Sequence, residues 1–296
     1  MSLFIGSGVA IVTPFKDIDI NNRQVDFDKL EELLNFHVEN NTDAIIICGT
    51  TGEGSTMKCE EKRKAIQTTV EIINKRIPVI AGVGTNNTLK TLEFSKFAEK
   101  VGADGLLVIT PYYNKTSKKG LFEHFKIVND NVNIPIMAYN VPSRTGMNIT
   151  PEDLLKLSEL KNITSIKEAS GNISQAILYR KLCPQIDLYS GNDDQIVALM
   201  SIGAKGVVSV AANIIPNEIH DIVHEYINGN TQKSLDIQLK YLNLINTLFI
   251  ETNPIPVKTS LNLMNKKVGN LRLPLTNMEE SNLNKLKIEM KKVGLI

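Results

Sequence analysis

Ile163-Thr-Ser-Ile-Lys-Glu-Ala-Ser-Gly-Asn172 is a short β-type run that ends in a lysine and then a turn. Ile163, Thr164 and Ile166 are β-branched, as a pleated strand prefers. Lys167 at the tip has two readings: a solvated charge guarding a sheet edge, or an amine held inside a site. The neighbouring sequence decides between them.

Outward from this stretch the same unit recurs. Apolar, β-branched runs stand at residues 8–13, 44–47, 78–81, 105–109, 135–139, 187–189 and 206–209, so 163–167 is the sixth of eight. Segments of helical period separate them, at 24–39, 60–74, 89–100 and 121–129 and again after Thr150-Pro151. There Thr150 suits an N-cap and Pro151 the first helical position. The runs are apolar throughout rather than alternating, which fits strands buried on both faces. Eight such units in about 215 residues match the roughly 200–250 expected of a (β/α)8 barrel. A doubly wound open sheet competes less well, because Gly82-Val-Gly-Thr-Asn-Asn87 lacks the third glycine of a dinucleotide loop. After Pro216 the period is helical only, at 218–227, 232–250, 256–263 and 278–292. The expected organisation is a catalytic barrel over 1–224 and a small all-helical C-terminal domain over 225–296, with Leu235, Leu239, Leu242, Leu244 and Ile245 packing on barrel helices.

Composition excludes several classes. A net charge of +1 leaves no basic footprint for nucleic acid or anionic membrane. No apolar run approaches the roughly 20 residues of a membrane span, and the N-terminus does not read as a signal peptide. Cys48, Cys59 and Cys183 are odd in number and outside CxxC spacing, which favours a reducing, cytoplasmic setting without structural zinc. His220 and His224 stand at i, i+4, a zinc-compatible spacing. They lack the Glu of HExxH and a third ligand nearby in sequence, and are read as a surface helix. Asp193-Asp194 is read as the first turn of a helix rather than a Mg²⁺ site.

In a barrel, the loops after the strands build the active site. Polar clusters fall there repeatedly: Gly49-Thr-Thr-Gly-Glu53, Thr110-Pro-Tyr-Tyr-Asn114, Tyr139-Asn-Val-Pro-Ser-Arg-Thr-Gly146, Lys167-Glu168 and Ser190-Gly-Asn-Asp-Asp194. A closed barrel has no edge for Lys167 to guard. Desolvation favours the neutral amine, which attacks carbonyls, so the lysine points to Schiff-base chemistry on a keto substrate. Imine formation needs proton transfers, and Tyr139, bridged by Thr50 to Tyr113, offers hydroxyls for them. Amides around Thr50–Gly52 suit one carboxylate and the Arg144 fork a second. A barrel that binds a keto acid without turnover is the competing class. A phosphate-dependent barrel enzyme is weaker, since Ser209-Val-Ala-Ala-Asn213 is a poor phosphate grip.

These motifs, with Gly8-Val-Ala-Ile-Val-Thr-Pro-Phe15, Ile166-Lys-Glu-Ala169 and Gly206-Val-Val-Ser-Val210, resemble the dihydrodipicolinate synthase family of pyruvate-dependent aldolases nearly end to end. The resemblance implies a (β/α)8 barrel with a helical C-terminal domain, and a homotetramer built as a dimer of dimers. By motif position Lys167 would form the imine with pyruvate. Tyr139 and Thr50 would relay protons with Tyr113 of an adjacent subunit, and Thr51 would hold the pyruvate carboxylate. Arg144 would receive the carboxylate of L-aspartate 4-semialdehyde, and the Val208 carbonyl would face the lysine. The implied product is 4-hydroxy-tetrahydrodipicolinate, on the route to diaminopimelate and lysine, with no metal or organic cofactor. The related sialic-acid lyases differ, having a Ser-Thr pair at Thr50-Thr51 and no arginine at Arg144. Feedback-inhibited relatives bind lysine between subunits. Asn86 and Tyr112 fit that site, but Cys59 and Lys62 stand where histidines occur and Lys90 where a glutamate binds the effector, which implies little or no inhibition by lysine.

Overall fold

A computed structural model describes residues 2–16 and 23–296. Eight parallel strands close a barrel, each bonded to its neighbours in chain order and the first to the last. They are Gly6–Ala10, Ala44–Ile47, Val79–Gly82, Gly105–Ile109, Ile136–Asn140, Ile163–Glu168, Asp187–Ser190 and Gly206–Ser209. Every expected strand is present, with ends shifted by at most a few residues.

Two layers of apolar packing account for the unbroken hydrophobic strands. One lies between strands and helices and takes residues such as Ile45, Leu106, Ile136 and Ile166. The other fills the barrel itself with Ile46, Ile80, Leu107, Met137, Tyr139, Tyr189 and Val208. Phe4 closes the lower end of the interior, its ring centroid 4.5 Å from that of Tyr189.

Two expectations required correction. The first helix starts at Phe27, not at residue 24, because Gln24–Val25 pairs antiparallel with Phe15–Lys16. The Asp26 carboxylate then accepts the Lys29 amide as N-cap. The long C-terminal helix is Thr231–Thr247, and it buries Ser234, Gln238, Tyr241, Leu244 and Ile245. Leu239 is 56% exposed, so the apolar stripe is rotated from the all-leucine face that spacing suggested. Its polar members are occupied: Gln238 accepts the Val197 amide and donates to the Asp194 carbonyl. Pro216–Ile227 runs unbroken past residue 224 and packs on the first strand and on Thr231–Thr247. Among the described residues no helix is long and apolar enough to cross a membrane.

A bulge sets the phase of the two strands that matter most. Ile136 pairs with Ile163, but Met137 pairs with Ser165, so Thr164 is an extra residue on the sixth strand. Beyond it, Ala138 pairs with Ile166 and Tyr139 with Lys167. Were Thr164 paired with Met137 in a regular ladder instead of bulged out, Tyr139 would sit opposite Ile166 and Lys167 would be one step out of phase. Because side chains alternate between faces, that step would send lysine and tyrosine to opposite sides of the wall.

Two histidines are buried without charge partners. His37 shares a proton with the Thr42 hydroxyl at 3.0 Å and His124 with that of Thr88 at 2.9 Å. Burial holds the His37 pKa down at about 3 and that of His124 at about 4. Below their ordinary value the unfolded chain binds protons that the folded chain refuses, so stability falls as pH drops from about 6.5 towards 4. Each contributes up to about 1.4 kcal/mol per pH unit in that window. Urea unfolding across pH 7 to 4 should show this slope, and His37→Gln should reduce it by about half of the histidine contribution.

Candidate active site

At the C-terminal end of the barrel, Tyr139 and Lys167 are register partners on adjacent strands and both point inward. Lys167 is 5% exposed, and its Nζ lies 4.4 Å from the centroid of the Tyr139 ring. The phenol face therefore packs against the amine and keeps bulk water from it. The alternate residues, Asn140 and Glu168, point outward and are buried as well. Glu168 accepts the Asn140 amide at 2.9 Å and the Ser170 backbone N–H at 2.6 Å. Asn140 is also bonded to Asn148 and Tyr179, and the Tyr179 hydroxyl donates to the Ile149 carbonyl. Burial, and then the Glu168 charge, raise the Tyr179 pKa, so this hydroxyl stays protonated as a donor. A polar lattice behind the wall thus fixes the backbone from which the inward pair projects.

The seventh and eighth strands contribute a group that the sequence reading assigned to a helix start. Asp193 lies in a short 3-10 turn and is 1% exposed. Its Oδ2 accepts the Val210 and Ala211 amides, each at 3.0 Å. Burial pushes its carboxyl pKa up, opposed by the Ser209 hydroxyl, those two amides and the Lys167 charge. This carboxylate ties the loop after strand seven to the loop after strand eight, next to the lysine. Gly191 leaves room for it. A Cβ there would stand 3.1 Å from Lys167 Cε, 3.0 Å from the Glu168 carbonyl and 2.6 Å from Ala169 Cβ. The glycine between Ser190 and Asn192 was visible in the sequence, but not its reason.

A cavity of about 340 Å³ opens at this mouth, lined by Thr50, Tyr139 and Arg144 on one side and by Lys62, Lys90 and Tyr112 on the other. Lys167 is not on its wall, because the Tyr139 ring stands against it. Thr51, 3% exposed, accepts a hydrogen bond from the Asn253 side chain at 3.0 Å, which leaves its own hydroxyl proton to donate. Arg144 projects from Pro142–Thr145 and donates to the Asn253 carbonyl at 3.2 Å. Asn253, which no motif pointed to, therefore holds both the Thr51 and the Arg144 loops. Val208 is fully buried in the interior layer, paired with Gly8.

Of the expected site residues, Thr50, Tyr139 and Arg144 line the cavity and Lys167 packs on Tyr139, whereas Tyr113 stands outside it in a single chain. It is 93% exposed, with φ of +68°. On the opposite wall, Lys62 is 5% exposed with its Nζ 4.7 Å over the Phe94 ring. Burial, helped by the charge of Lys90, lowers its pKa. Burial drives the neighbouring Cys48 thiol up to about 12, so it is no nucleophile at neutral pH.

Chemically, a buried amine beside a phenol, with the Thr50 hydroxyl on the wall of the adjoining cavity, can capture a small keto acid as an imine. Gly191→Ala should leave the barrel folded but displace the lysine tip. Borohydride trapping of a small keto acid on Lys167 is expected to slow by about 10²-fold, measured by intact-mass spectrometry against time.

Known proteins were compared with this chain. The model of the "Dihydrodipicolinate synthetase family" matches residues 3–293. A 4-hydroxy-tetrahydrodipicolinate synthase of Clostridium novyi is 63% identical over 97% of this chain and 96% of its own length. One from Clostridium acetobutylicum is 58% identical over the full length of both. Among solved structures, the dihydrodipicolinate synthase of Aquifex aeolicus superposes with a TM-score of 0.95 at 43% identity, covering 99% of each chain. That of Cyanidioschyzon merolae, solved with lysine bound, gives 0.95 at 38% identity over all of both chains. With the barrel, the inward lysine–tyrosine pair and a match from end to end, this chain belongs to the dihydrodipicolinate synthetase family.

Proposed function

We propose that the protein is a 4-hydroxy-tetrahydrodipicolinate synthase acting in lysine and diaminopimelate biosynthesis in the cytoplasm. It condenses pyruvate with L-aspartate 4-semialdehyde through an imine on Lys167. The observation that carries this reading is the buried Lys167 amine packed on the Tyr139 ring at the barrel mouth.

In this reading Lys167 Nζ attacks C2 of pyruvate, and water leaves as the imine forms. Tyr139 gives and takes the protons, with Thr50 on the same cavity wall as the next hydroxyl. Thr51, its acceptor side already occupied by Asn253, turns its hydroxyl proton towards the pyruvate carboxylate. The Val208 carbonyl faces the lysine from the eighth strand. Loss of a C3 proton gives the enamine, the iminium nitrogen serving as electron sink. Enamine C3 then attacks the aldehyde carbon of the second substrate, forming the new C–C bond and an alkoxide that takes up a proton. Arg144 receives that substrate's carboxylate at the rim. The substrate's own amine finally attacks C2, closes the ring and expels Lys167, so the new hydroxyl is kept in the product. No step calls on a metal or an organic cofactor.

The same reading assigns residues 1–224 to the catalytic barrel and 225–296 to a C-terminal helical domain. It makes the working form a homotetramer in which Tyr113 completes a neighbouring copy's relay. In support, Tyr113 is 93% exposed and held in the left-handed region at φ of +68°, so its side chain is free to meet another copy.

Steady-state consumption of pyruvate with aspartate semialdehyde tests the reaction directly. Turnover should fall by at least about 10³-fold in Lys167→Ala, together with loss of the borohydride-trapped pyruvate adduct. A folded wild-type chain that neither traps pyruvate nor turns over would defeat the proposal. A chain that traps pyruvate but ignores the semialdehyde would make Arg144 a receptor for another aldehyde. With Lys90 as a cation lining the cavity, a cationic amino acid is repelled. The rate should therefore stay flat as L-lysine rises into the millimolar range, and an inhibition curve there would contradict this.

A further inference from the structure

The base of the barrel, opposite the mouth, carries a side-chain cluster that the reaction does not use. Asp43 stands just before the second strand, and His220 and His224 lie one turn apart on Pro216–Ile227. Along the chain the two histidines have no third partner close by. Folding brings Asp43 to them across 177 and 181 residues and supplies the third partner that the sequence lacks nearby. Asp43 Oδ2 lies 2.9 Å from His220 Nδ1, and both carboxylate oxygens lie 3.2 Å from His224 Nε2. One ligand atom from each residue lies within 4.8 Å of the other two.

We propose that Asp43, His220 and His224 form a binding site for a divalent transition metal ion, with Zn²⁺ the best match, and an outer position left to water. Two imidazoles and a carboxylate are the donor set that suits a borderline cation, and three protein ligands with an open fourth position is a common arrangement for zinc. The distances fit. Ligands about 2.0–2.1 Å from a tetrahedral ion sit about 3.3 Å from one another. The three carboxylate–imidazole separations already lie at 2.9–3.2 Å. Only the two imidazoles must adjust, from stacked rings with centroids 3.9 Å apart to lone pairs that converge. Rotation about the side-chain torsions supplies that.

The site is open to solution, with His220, His224 and Asp43 side chains 22%, 34% and 19% exposed. It also has a mechanical consequence. Asp43 Oδ2 accepts the Ser7 backbone N–H at 2.7 Å, at the entry to the first strand. The histidines ride on the helix that follows the eighth strand. An ion there would bridge the seam at which the last strand closes on the first.

The test uses the full chain stripped with chelator and titrated with ZnCl₂ alone at neutral pH, followed by calorimetry and thermal unfolding. One ion per chain and a rise in melting temperature are expected. His224→Gln and His220→Gln should each weaken binding at least tenfold and abolish the thermal shift, while trapping of pyruvate on Lys167 is unchanged in both. No binding to the folded wild-type chain would overturn the proposal. So would binding of equal strength in both variants, which would place the ion on other residues.

Discussion

The active-site mouth depends on one buried charge pair that belongs to neither substrate. Lys258 Nζ and Glu53 Oε1 lie 2.9 Å apart, and each side chain is 1% exposed. A pair this deep survives only if every remaining donor and acceptor is met. Lys258 also donates to the Thr13 and Asn270 carbonyls, and Glu53 Oε2 accepts the Arg272 amide. Phe15 closes over both cations, 4.2 Å from Lys258 Nζ and 4.3 Å from the Arg272 guanidinium carbon. Loss of one partner would strand the other charge, a penalty of about 3–5 kcal/mol. What the pair holds is the loop after the second strand, with Glu53 in the left-handed region at φ of +53°. Gly52 packs there close to the Ile11 carbonyl and the Thr13 hydroxyl, which donates to the Gly52 carbonyl. Thr50 and Thr51 stand at the head of that loop.

A second set of buried polar groups works on the other side of the mouth. Glu168 and Asn140 anchor the fifth and sixth strands from behind, and Asp193 joins the loops after the seventh and eighth. Lys167 is thus surrounded by groups whose geometry is settled before any substrate arrives, and binding energy need not be spent on arranging them. The far wall differs in kind. Lys62 is buried over an aromatic ring, its charge disfavoured by burial.

Much of this was legible in the residues. Strands buried on both faces must be apolar without alternation, so their positions and number could be read directly. Lys167, Tyr139, Thr50, Thr51 and Arg144 could be singled out because they stand at or just after strand ends, where the mouth of a barrel is built. What escaped reading depends on register or on contacts between distant segments. The bulge at Thr164 decides which face Lys167 takes, yet Thr164 looks like any other strand threonine. Asn253 and Lys258 act on residues more than 200 positions earlier, and no local pattern marks them. Asp193 obeyed the rule for a helix start and was nevertheless drawn inward, because two loop amides needed an acceptor. Asp43 completes a cluster whose other members are far along the chain.

The position of Lys258 also sets the order in which the molecule becomes competent during synthesis. All eight strands and Lys167 have been synthesised once Ser209 is made, and domains tend to fold as they emerge. At that moment Glu53 has no countercharge and Thr51 no Asn253 to orient it, since both lie beyond residue 250. A nascent or truncated chain would therefore possess the reactive amine without a finished pocket. The support for the first-half loop lies in the last fifty residues, so the mouth of the barrel is finished only when the C-terminal helices are in place.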